Sequence, residues 1–226
     1  MRFAAILFDF DGVLIESEYA GNKQLADYLT SIGHPTTAEQ SMAQFMGLAS
    51  TDFHAAVERW IGGPIPESFH AARAAEDARA IAEGYGEVTG AIDFVLGLPA
   101  DLPVAIVSSS STRWIAAHLA HLGLIDRFEG RMFSGREHVA RGKPAPDLYL
   151  HAADALGVDI RRTLVIEDSP VGATGAVASG AHVVGLCAGA HCAPGHGDVL
   201  RGKGVTVVAD SFADVQRIVS ESSTES

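Results

Sequence analysis

The chain has 226 residues, of which 47% are hydrophobic and 19% are charged, as is typical of a globular protein with one or two domains. Its formal net charge of −12 argues against a nucleic-acid partner, which would require a basic face. Two cysteines give no disulfide framework and no apolar stretch approaches membrane-spanning length, so we expect a cytoplasmic protein without a membrane partner.

An uncharged apolar run at residues 3–8 predicts a first strand that is buried on both faces of a parallel sheet. Two carboxylates, Asp9 and Asp11, follow it in the stretch "DFDG". An Asp-Gly turn or a helix cap would explain one aspartate at this place. The pair indicates a chemical role, because neighbouring carboxylates repel each other.

The next buried-strand pattern is "PVAIVS", residues 103–108, and the long segment before it has helical periodicity. An Ala-rich amphipathic stretch in this segment ends at Gly84, a residue suited to a helix C-cap. A structureless connection of this length is rare in compact domains. We therefore predict a helical cap domain at residues 16–88, inserted between core segments 1–15 and 89–226.

From about residue 90 onward, strand patterns alternate with helical patterns. After "PVAIVS", the strand patterns are "GRMFS", "TLVIE", "HVVGL" and "VTVV". This alternation predicts an α/β fold, a Rossmann-like doubly wound parallel sheet with helices on both faces. Ligands of such sheets bind beyond the carboxyl ends of the strands, where the strand order switches.

Three of the predicted strands end in polar residues. The first ends in Asp9 and Asp11, "PVAIVS" ends in the serines 108–111, and "TLVIE" ends in Glu167 followed by Asp168. At about 4 Å and an effective dielectric near 20, each like-charge pair costs on the order of 4 kcal/mol. Such a cluster needs a cation or bound protons, and hard oxygen ligands suit Mg²⁺.

Two further segments favour a phosphate ligand. "SSSSTRW" brings hydroxyl and backbone N–H groups to a helix N-terminus, and "GKPAPD" brings Lys143 to the start of another helix. Taken singly, a serine run is usually a capping segment, and a lone lysine is usually a solvated surface residue. Their occurrence together with the carboxylates indicates a phosphate site.

These segments resemble the four motifs of the haloacid dehalogenase superfamily of phosphohydrolases, as "DFDGVL", "VSSSS", "GKPAPD" and "VIEDS". The resemblance covers essentially the whole chain, including a helical cap after the first motif. It is closest to the β-phosphoglucomutase-like and sugar-phosphatase branch. It implies an Mg²⁺-dependent phosphatase that hydrolyses a small phosphorylated metabolite, with sugar phosphates as the preferred class.

The resemblance also implies a role for each carboxylate. Asp9 would be the nucleophile that forms an aspartyl-phosphate, and Asp11 would act as general acid and then as general base. Mg²⁺ would be held by Asp9, by the backbone carbonyl of Asp11 and by Asp168. Glu167 would be a further ligand, or it would contact the metal ligands without binding the metal directly.

For the phosphoryl group, the resemblance implies a binding site built from three residues. The Ser108 hydroxyl and the Ser109 amide would bind phosphoryl oxygens. Lys143 would neutralise charge on both the nucleophile and the phosphoryl group.

A phosphosugar mutase of the β-phosphoglucomutase type is the alternative to a phosphatase. Val13 is common in the mutase branch, but a mutase needs a basic anchor in its cap. Where the resemblance places an arginine, this chain has Thr51, and where it places a histidine, this chain has Gly21 or Asn22. These departures favour the phosphatase.

We also expect the loop 47–52, with residues 16–19, to face the leaving group.

Two other classes fit the residues less well. A dehalogenase also uses an aspartate nucleophile, but it needs neither a second acid nor a metal-binding pair, so Asp11 and Asp168 favour phosphoryl transfer. A member of the superfamily that only binds would be expected to lack Asp9 or Asp11.

The late stretch "GLCAGAHCAPGHGD" contains Cys187, His191, Cys192 and His196. These side chains could bind zinc, but their spacing matches no common zinc pattern. Glycine and proline indicate a loop after a strand, and a plain loop is the preferred interpretation. The oligomeric state is not encoded in any pattern of the sequence, and a monomer is the default expectation.

Overall fold

The structure is a computed structural model that describes residues 3–46, 48 and 50–221, without the side chains of Ser50 and Thr51. The chain forms two compact units. The first unit, the core unit, combines Met1–Glu16 with Gly86–Ser226, and the second, the inserted unit, is Ser17–Tyr85. The limits predicted for the inserted segment from the sequence are residues 16–88.

The core unit contains a six-stranded sheet, and each pair of adjacent strands is parallel. The strands are β1 (Ala5–Phe8), β2 (Val104–Ser108), β3 (Met132–Ser134), β4 (Thr163–Glu167), β5 (His182–Leu186) and β6 (Val207–Ala209). Their spatial order is β3-β2-β1-β4-β5-β6, so the chain adds β2 and β3 on one side of β1 and then β4, β5 and β6 on the other. This doubly wound arrangement confirms the predicted fold class.

Helices follow the strands of the core unit. They are α5 (Ala91–Gly97), α6 (Thr112–His121), α7 (Asp147–Ala155), α8 (Pro170–Ser179), α9 (His196–Arg201) and α10 (Phe212–Glu221), with short 3₁₀ helices at Ile125–Phe128 and Ile160–Arg162. Side chains of α7 and α8, including Tyr149 and Ala173, pack with Leu7 and Val165 of the central strands in one buried cluster. The predicted alternation of strands and helices holds, but β6 begins at Val207, two residues later than the pattern "VTVV".

The register of the central strands positions the site. Phe8 of β1 lies beside Ile106 of β2 and Ile166 of β4. All residues of β1 are buried, because β2 and β4 cover its edges and helices cover its faces. The residues that follow Phe8, Ile106 and Ile166 therefore emerge at the same edge of the sheet.

The inserted unit is made of helices α1 (Ser17–Ser31), α2 (Ala38–Phe45), α3 (Ser50–Ile61) and α4 (Glu67–Glu83). Leu29, Phe45, Val57 and Phe69 form its buried core. The predicted helix end at Gly84 is confirmed, since this glycine is the C-cap of α4 with φ of 75°, a conformation that glycine adopts most readily. Among the described residues, every helix is too short or too polar to cross a membrane.

Candidate active site

The polar residues at three strand ends lie together in the core unit. Asp9 directly follows β1, Ser108 ends β2, and Glu167 ends β4 with Asp168 after it. The Asp9 amide donates to the Ile166 carbonyl at 2.9 Å, which continues the sheet past the last paired residue of β1. Oxygens of Asp9, Glu167 and Asp168 lie within 4.8 Å of one another, and all three residues are buried.

Lys143 lies between two of these carboxylates. Its Nζ is 2.8 Å from Asp9 Oδ1 and 2.5 Å from Glu167 Oε1, and its side chain is 3% exposed. Burial alone would lower the pKa of Lys143, but Asp9 and Glu167 raise it above its ordinary value. The ammonium group therefore stays protonated and neutralises part of the acidic cluster.

Both carboxylate oxygens of Glu167 accept hydrogen bonds from side chains. Besides Lys143, the Tyr149 hydroxyl donates to its Oε1 at 2.5 Å, and the Ser169 hydroxyl donates to its Oε2 at 3.2 Å. Ser169 is also the N-cap of α8, where its oxygen accepts from the Gly172 amide at 3.0 Å. A Cβ at Gly172 would lie 2.1 Å from Glu167 Oε2, so only glycine lets α8 approach this carboxylate.

Asp9 lies beside two further carboxylates and one ammonium group. Burial raises the pKa of Asp9 well above its ordinary value, and Glu167 and Asp168 raise it further, whereas Lys143 acts in the opposite direction. In the described part of the chain, Asp168 Oδ1 is buried and has no hydrogen-bond partner. A buried carboxylate oxygen without a donor beside two further carboxylates fits a bound cation, and the all-oxygen donor set fits a hard one.

Asp11 has different surroundings from Asp9. Its carboxylate accepts hydrogen bonds from Ser110 Oγ at 2.7 Å, Trp114 Nε1 at 3.0 Å and Ser108 Oγ at 3.3 Å. Ser109 is exposed in the turn after β2. Of the two predicted phosphate-binding serines, Ser108 thus contacts a predicted catalytic residue, and Ser109 faces solvent.

Gly12, directly after Asp11, takes a left-handed conformation with φ of 79°. A Cβ here would lie 2.2 Å from Asp168 Oδ2, so both the backbone conformation and the close contact require glycine. The tight turn after Asp11 thereby brings the first and fourth motif segments into contact.

The loop between β5 and α9 contacts the acidic cluster at Asp168, whereas Lys143 contacts it at Asp9 and Glu167. His191 Nε2 lies 2.8 Å from Asp168 Oδ2, and His196 Nε2 donates to the main-chain oxygen of Asp168 at 2.6 Å. Cys192 Sγ lies 3.4 Å from His191 Nε2. Burial opposes protonation of His191, but Asp168 and Cys192 raise its pKa to about 11.

Sequence reasoning missed three partners of the predicted residues: Tyr149, Trp114 and His191. The only signal for Tyr149 is a phenol in an apolar helix, since a buried hydroxyl needs a hydrogen-bond partner. The grouping of His191, Cys192 and His196 within 4.8 Å is also new, because their spacing favoured a plain loop. The loop predicted to face the leaving group, 47–52, includes residues outside the described ones.

The fold and this edge of the sheet define a doubly wound α/β protein with an aspartate-centred site. The chain belongs to the haloacid dehalogenase-like hydrolase family, whose model matches residues 3–180. The family predicted from the four motifs is thereby confirmed.

Individual relatives carry more specific names. The chain is 27% identical over 195 residues to 6-phosphogluconate phosphatase of Escherichia coli, covering 85% of this chain and 86% of that protein. It is 31% identical over 198 residues to hexitol phosphatase A of the same organism, covering 82% and 84%. A crystal structure of a family hydrolase from Deinococcus radiodurans with bound phosphate and sodium superposes with a TM-score of 0.84, at 30% identity and covering 98% and 97%.

Proposed function

We propose that this protein is an Mg²⁺-dependent phosphatase that hydrolyses a small sugar phosphate through an aspartyl-phosphate on Asp9. The observation that carries the proposal is the environment of Asp9, a buried carboxylate that is ion-paired with Lys143 and lies beside the unpartnered oxygen of Asp168. A nucleophile, a cation and metal-binding oxygen are the components that phosphoryl transfer to a carboxylate requires.

Asp9, Asp168 and the backbone carbonyl of Asp11 would hold the metal ion. The bound ion would neutralise charge on the nucleophile and on the phosphoryl oxygens. Glu167 would act indirectly, because Lys143, Tyr149 and Ser169 already occupy its oxygens. Its role would be to hold the Lys143 ammonium group against Asp9.

The reaction would proceed in two displacements. In the first, an Asp9 oxygen attacks phosphorus, the bond from phosphorus to the alcohol oxygen breaks, and Asp11 transfers its proton to that oxygen. In the second, Asp11 takes a proton from water, the water oxygen attacks phosphorus, and the bond to Asp9 breaks. Inorganic phosphate leaves, Asp9 is free again and Asp11 is again protonated.

Lys143 and Ser108 would bind the transferred group. The Lys143 ammonium group is fixed by two carboxylates, so it needs no rearrangement to stabilise charge on a phosphoryl oxygen beside Asp9. The Ser108 hydroxyl, now donating to Asp11, would turn to a phosphoryl oxygen when substrate binds and would release Asp11 for proton transfer. The Ser109 amide would contribute a second donor.

The names of two relatives, 6-phosphogluconate phosphatase and hexitol phosphatase A, guide the choice of substrates. We would follow ³¹P NMR of the protein with Mg²⁺ and a mixture of gluconate, hexitol, hexose, pentose and triose phosphates. Growth of inorganic phosphate at the expense of one ester is expected, and Asp9→Asn should abolish it. Conversion of one hexose phosphate to another without free phosphate would instead identify a mutase. Absence of any change with every ester would contradict both activities.

A further inference from the structure

The loop between β5 and α9 surrounds Asp168 with side chains that the proposed reaction does not use. His191 contacts the carboxylate at Oδ2, and His196 donates to the main-chain oxygen of the same residue. Cys192 contacts the His191 ring, and together they tie the loop to one residue of the acidic cluster. The His191 and Asp168 side chains are each only 2% exposed, so water does not compete for this contact.

Glycines on both sides shape a slot for the His191 ring. A Cβ at Gly12 would lie 2.9 Å from His191 Cε1, and a Cβ at Gly189 would lie 2.6 Å from both Cε1 and Nδ1. Distances below 3.0 Å are not tolerated between such atoms, so the ring fits only because both residues are glycine. In this slot, Nε2 of the ring faces Asp168.

We propose that His191 is a positioning residue, which holds Asp168 Oδ2 so that the other oxygen, Oδ1, stays directed at the metal ion. This inference rests on the proposed function, in which Asp168 binds the metal. The two oxygens of Asp168 have unequal surroundings, since Oδ2 has its partner in His191 and Oδ1 has none among the described residues. Groups that hydrogen-bond to metal ligands fix their orientation, and losing one commonly weakens metal binding 10–100-fold.

A soft-metal site formed by His191, Cys192 and His196 is the competing interpretation of the same cluster. Two contacts argue against it. His191 Nε2, the ring nitrogen in contact with Cys192 Sγ, already faces the Asp168 carboxylate. A histidine that binds zinc donates its second N–H to a neighbour, whereas His191 Nδ1 is buried without a partner in the described structure.

The test is direct binding of Mn²⁺, measured from the electron paramagnetic resonance signal of the free ion. His191→Leu should weaken binding at least about tenfold relative to wild type. His191→Gln keeps an N–H donor near the position of Nε2 but removes any positive charge, and it should bind within about threefold of wild type. If His191→Leu does not fold, His191→Asn, whose shorter amide falls short of Asp168, takes its place.

Gly189→Ala provides an independent variant, because its methyl group would lie 2.6 Å from the His191 ring, closer than the 3.0 Å that separates it from the Gly12 main-chain oxygen, and would displace the ring. It should weaken Mn²⁺ binding like His191→Leu, while Gly63→Ala, whose Cβ meets nothing within 4 Å, should not. Unchanged binding in a folded His191→Leu protein, or equal weakening in His191→Gln, would overturn the proposal. So would tighter binding in both, which would show that the histidine acts by charge alone.

Three controls separate this inference from its premise and from the soft-metal interpretation. Asp168→Asn should abolish Mn²⁺ binding. Wild-type protein that binds no Mn²⁺ would refute the metal-dependent mechanism and the positioning role together. If wild type and variants bind Mn²⁺ with the expected affinities but no ester is hydrolysed, only the proposed function is refuted. Protein loaded with Co²⁺ would show a thiolate-to-cobalt absorption band if Cys192 bound a metal. Such a band in wild type that disappears in Cys192→Ser would overturn the positioning role in favour of a soft-metal site.

Discussion

Asp9 and Asp11 lie two residues apart after the same strand, but their surroundings differ in almost every respect. Asp9 is 7% exposed and pairs with the Lys143 ammonium group, and two more carboxylates lie beside it. Asp11 is partly exposed and accepts from two hydroxyl groups and an indole N–H. Side chains two residues apart in a regular strand share a face, but β1 ends at Phe8 and the chain turns at Gly12, with φ of 79°, so the two carboxylates meet different partners.

One residue type can thus do two tasks within the same site. A carboxylate beside a fixed cation and metal-binding oxygen suits nucleophilic attack on a phosphorus that carries negative charge. A carboxylate held by neutral donors, with access to solvent, suits proton exchange with an alcohol and then with water. Pairs of titratable groups in contrasting environments commonly divide acid-base and nucleophilic roles in this way. Substitutions at the two aspartates, and at the residues that contact them, should therefore affect hydrolysis in different ways.

The largest effect is expected at Asp9. Asp9→Asn removes the attacking oxygen, so hydrolysis should fall by at least about 10⁴-fold for every ester. The measurement is phosphate release at saturating Mg²⁺, with Asp101→Asn in an exposed turn as the matched control. Loss of activity that depends strongly on the alcohol of the ester would contradict a nucleophilic role.

Asp11→Asn should reduce hydrolysis of a sugar phosphate by about 10²–10⁴-fold, since it removes the group that protonates the leaving alcohol. With 4-nitrophenyl phosphate, whose leaving group needs no proton, the first displacement should survive and the second should be slow. A rapid release of one nitrophenolate per protein molecule, followed by slow turnover, is the expected result in stopped-flow absorbance. Equal losses for both esters without this initial release would remove the distinction between the two aspartates.

The residues around Asp9 could be predicted from the sequence far better than the residues that contact Asp11. Asp9, Lys143, Glu167 and Asp168 each end or follow a strand or precede a helix, and a parallel sheet brings such positions to one edge whatever the intervening chain does. The local patterns around each residue were therefore sufficient.

Trp114 and His191 could not be found in the same way. Trp114 reaches Asp11 across 103 residues of sequence, and its position inside α6 has the appearance of an ordinary apolar helix residue. His191 lies in an irregular loop, and its place depends on the close approach of Gly12 and Gly189. Contacts of this kind depend on packing between distant segments, which no periodicity in the sequence records. The spatial order of the strands was equally beyond the local patterns.

A smaller effect is expected from the indole that supports Asp11. Trp114→Phe keeps the aromatic ring but removes the N–H that lies 3.0 Å from Asp11 Oδ1. A hydrogen bond to a charged group contributes about 1.5–3 kcal/mol, so kcat should fall roughly tenfold or more while KM changes little. Trp60→Phe, which removes an indole hydrogen bond to Thr36 in the inserted unit, is the matched control and should leave kcat unchanged. A rise in KM alone would show that Trp114 contacts substrate rather than supporting Asp11.

The smallest effect concerns His118, which packs on the Trp114 ring at a centroid distance of 4.2 Å and contacts the Trp114 carbonyl through Nδ1 at 2.9 Å. Burial lowers the pKa of His118 below its ordinary value. The unfolded chain therefore binds a proton near pH 6.5 that the folded chain resists. The contribution of this histidine to stability is fully present above about pH 6.5 and is lost as the pH falls toward the lower folded-state pKa.

His118→Phe should accordingly reduce the loss of unfolding free energy between pH 7 and pH 5, as measured by urea denaturation in a pH series. His70→Phe, at an exposed position on α4 of the inserted unit, should leave that loss as it is in wild type. An unchanged pH dependence in His118→Phe would mean that the imidazole has the same pKa in the folded and unfolded protein. Burial of the ring behind Trp114 and Asp11 would then not resist protonation, and the contrast between this neutral support and the buried ammonium group beside Asp9 would no longer hold.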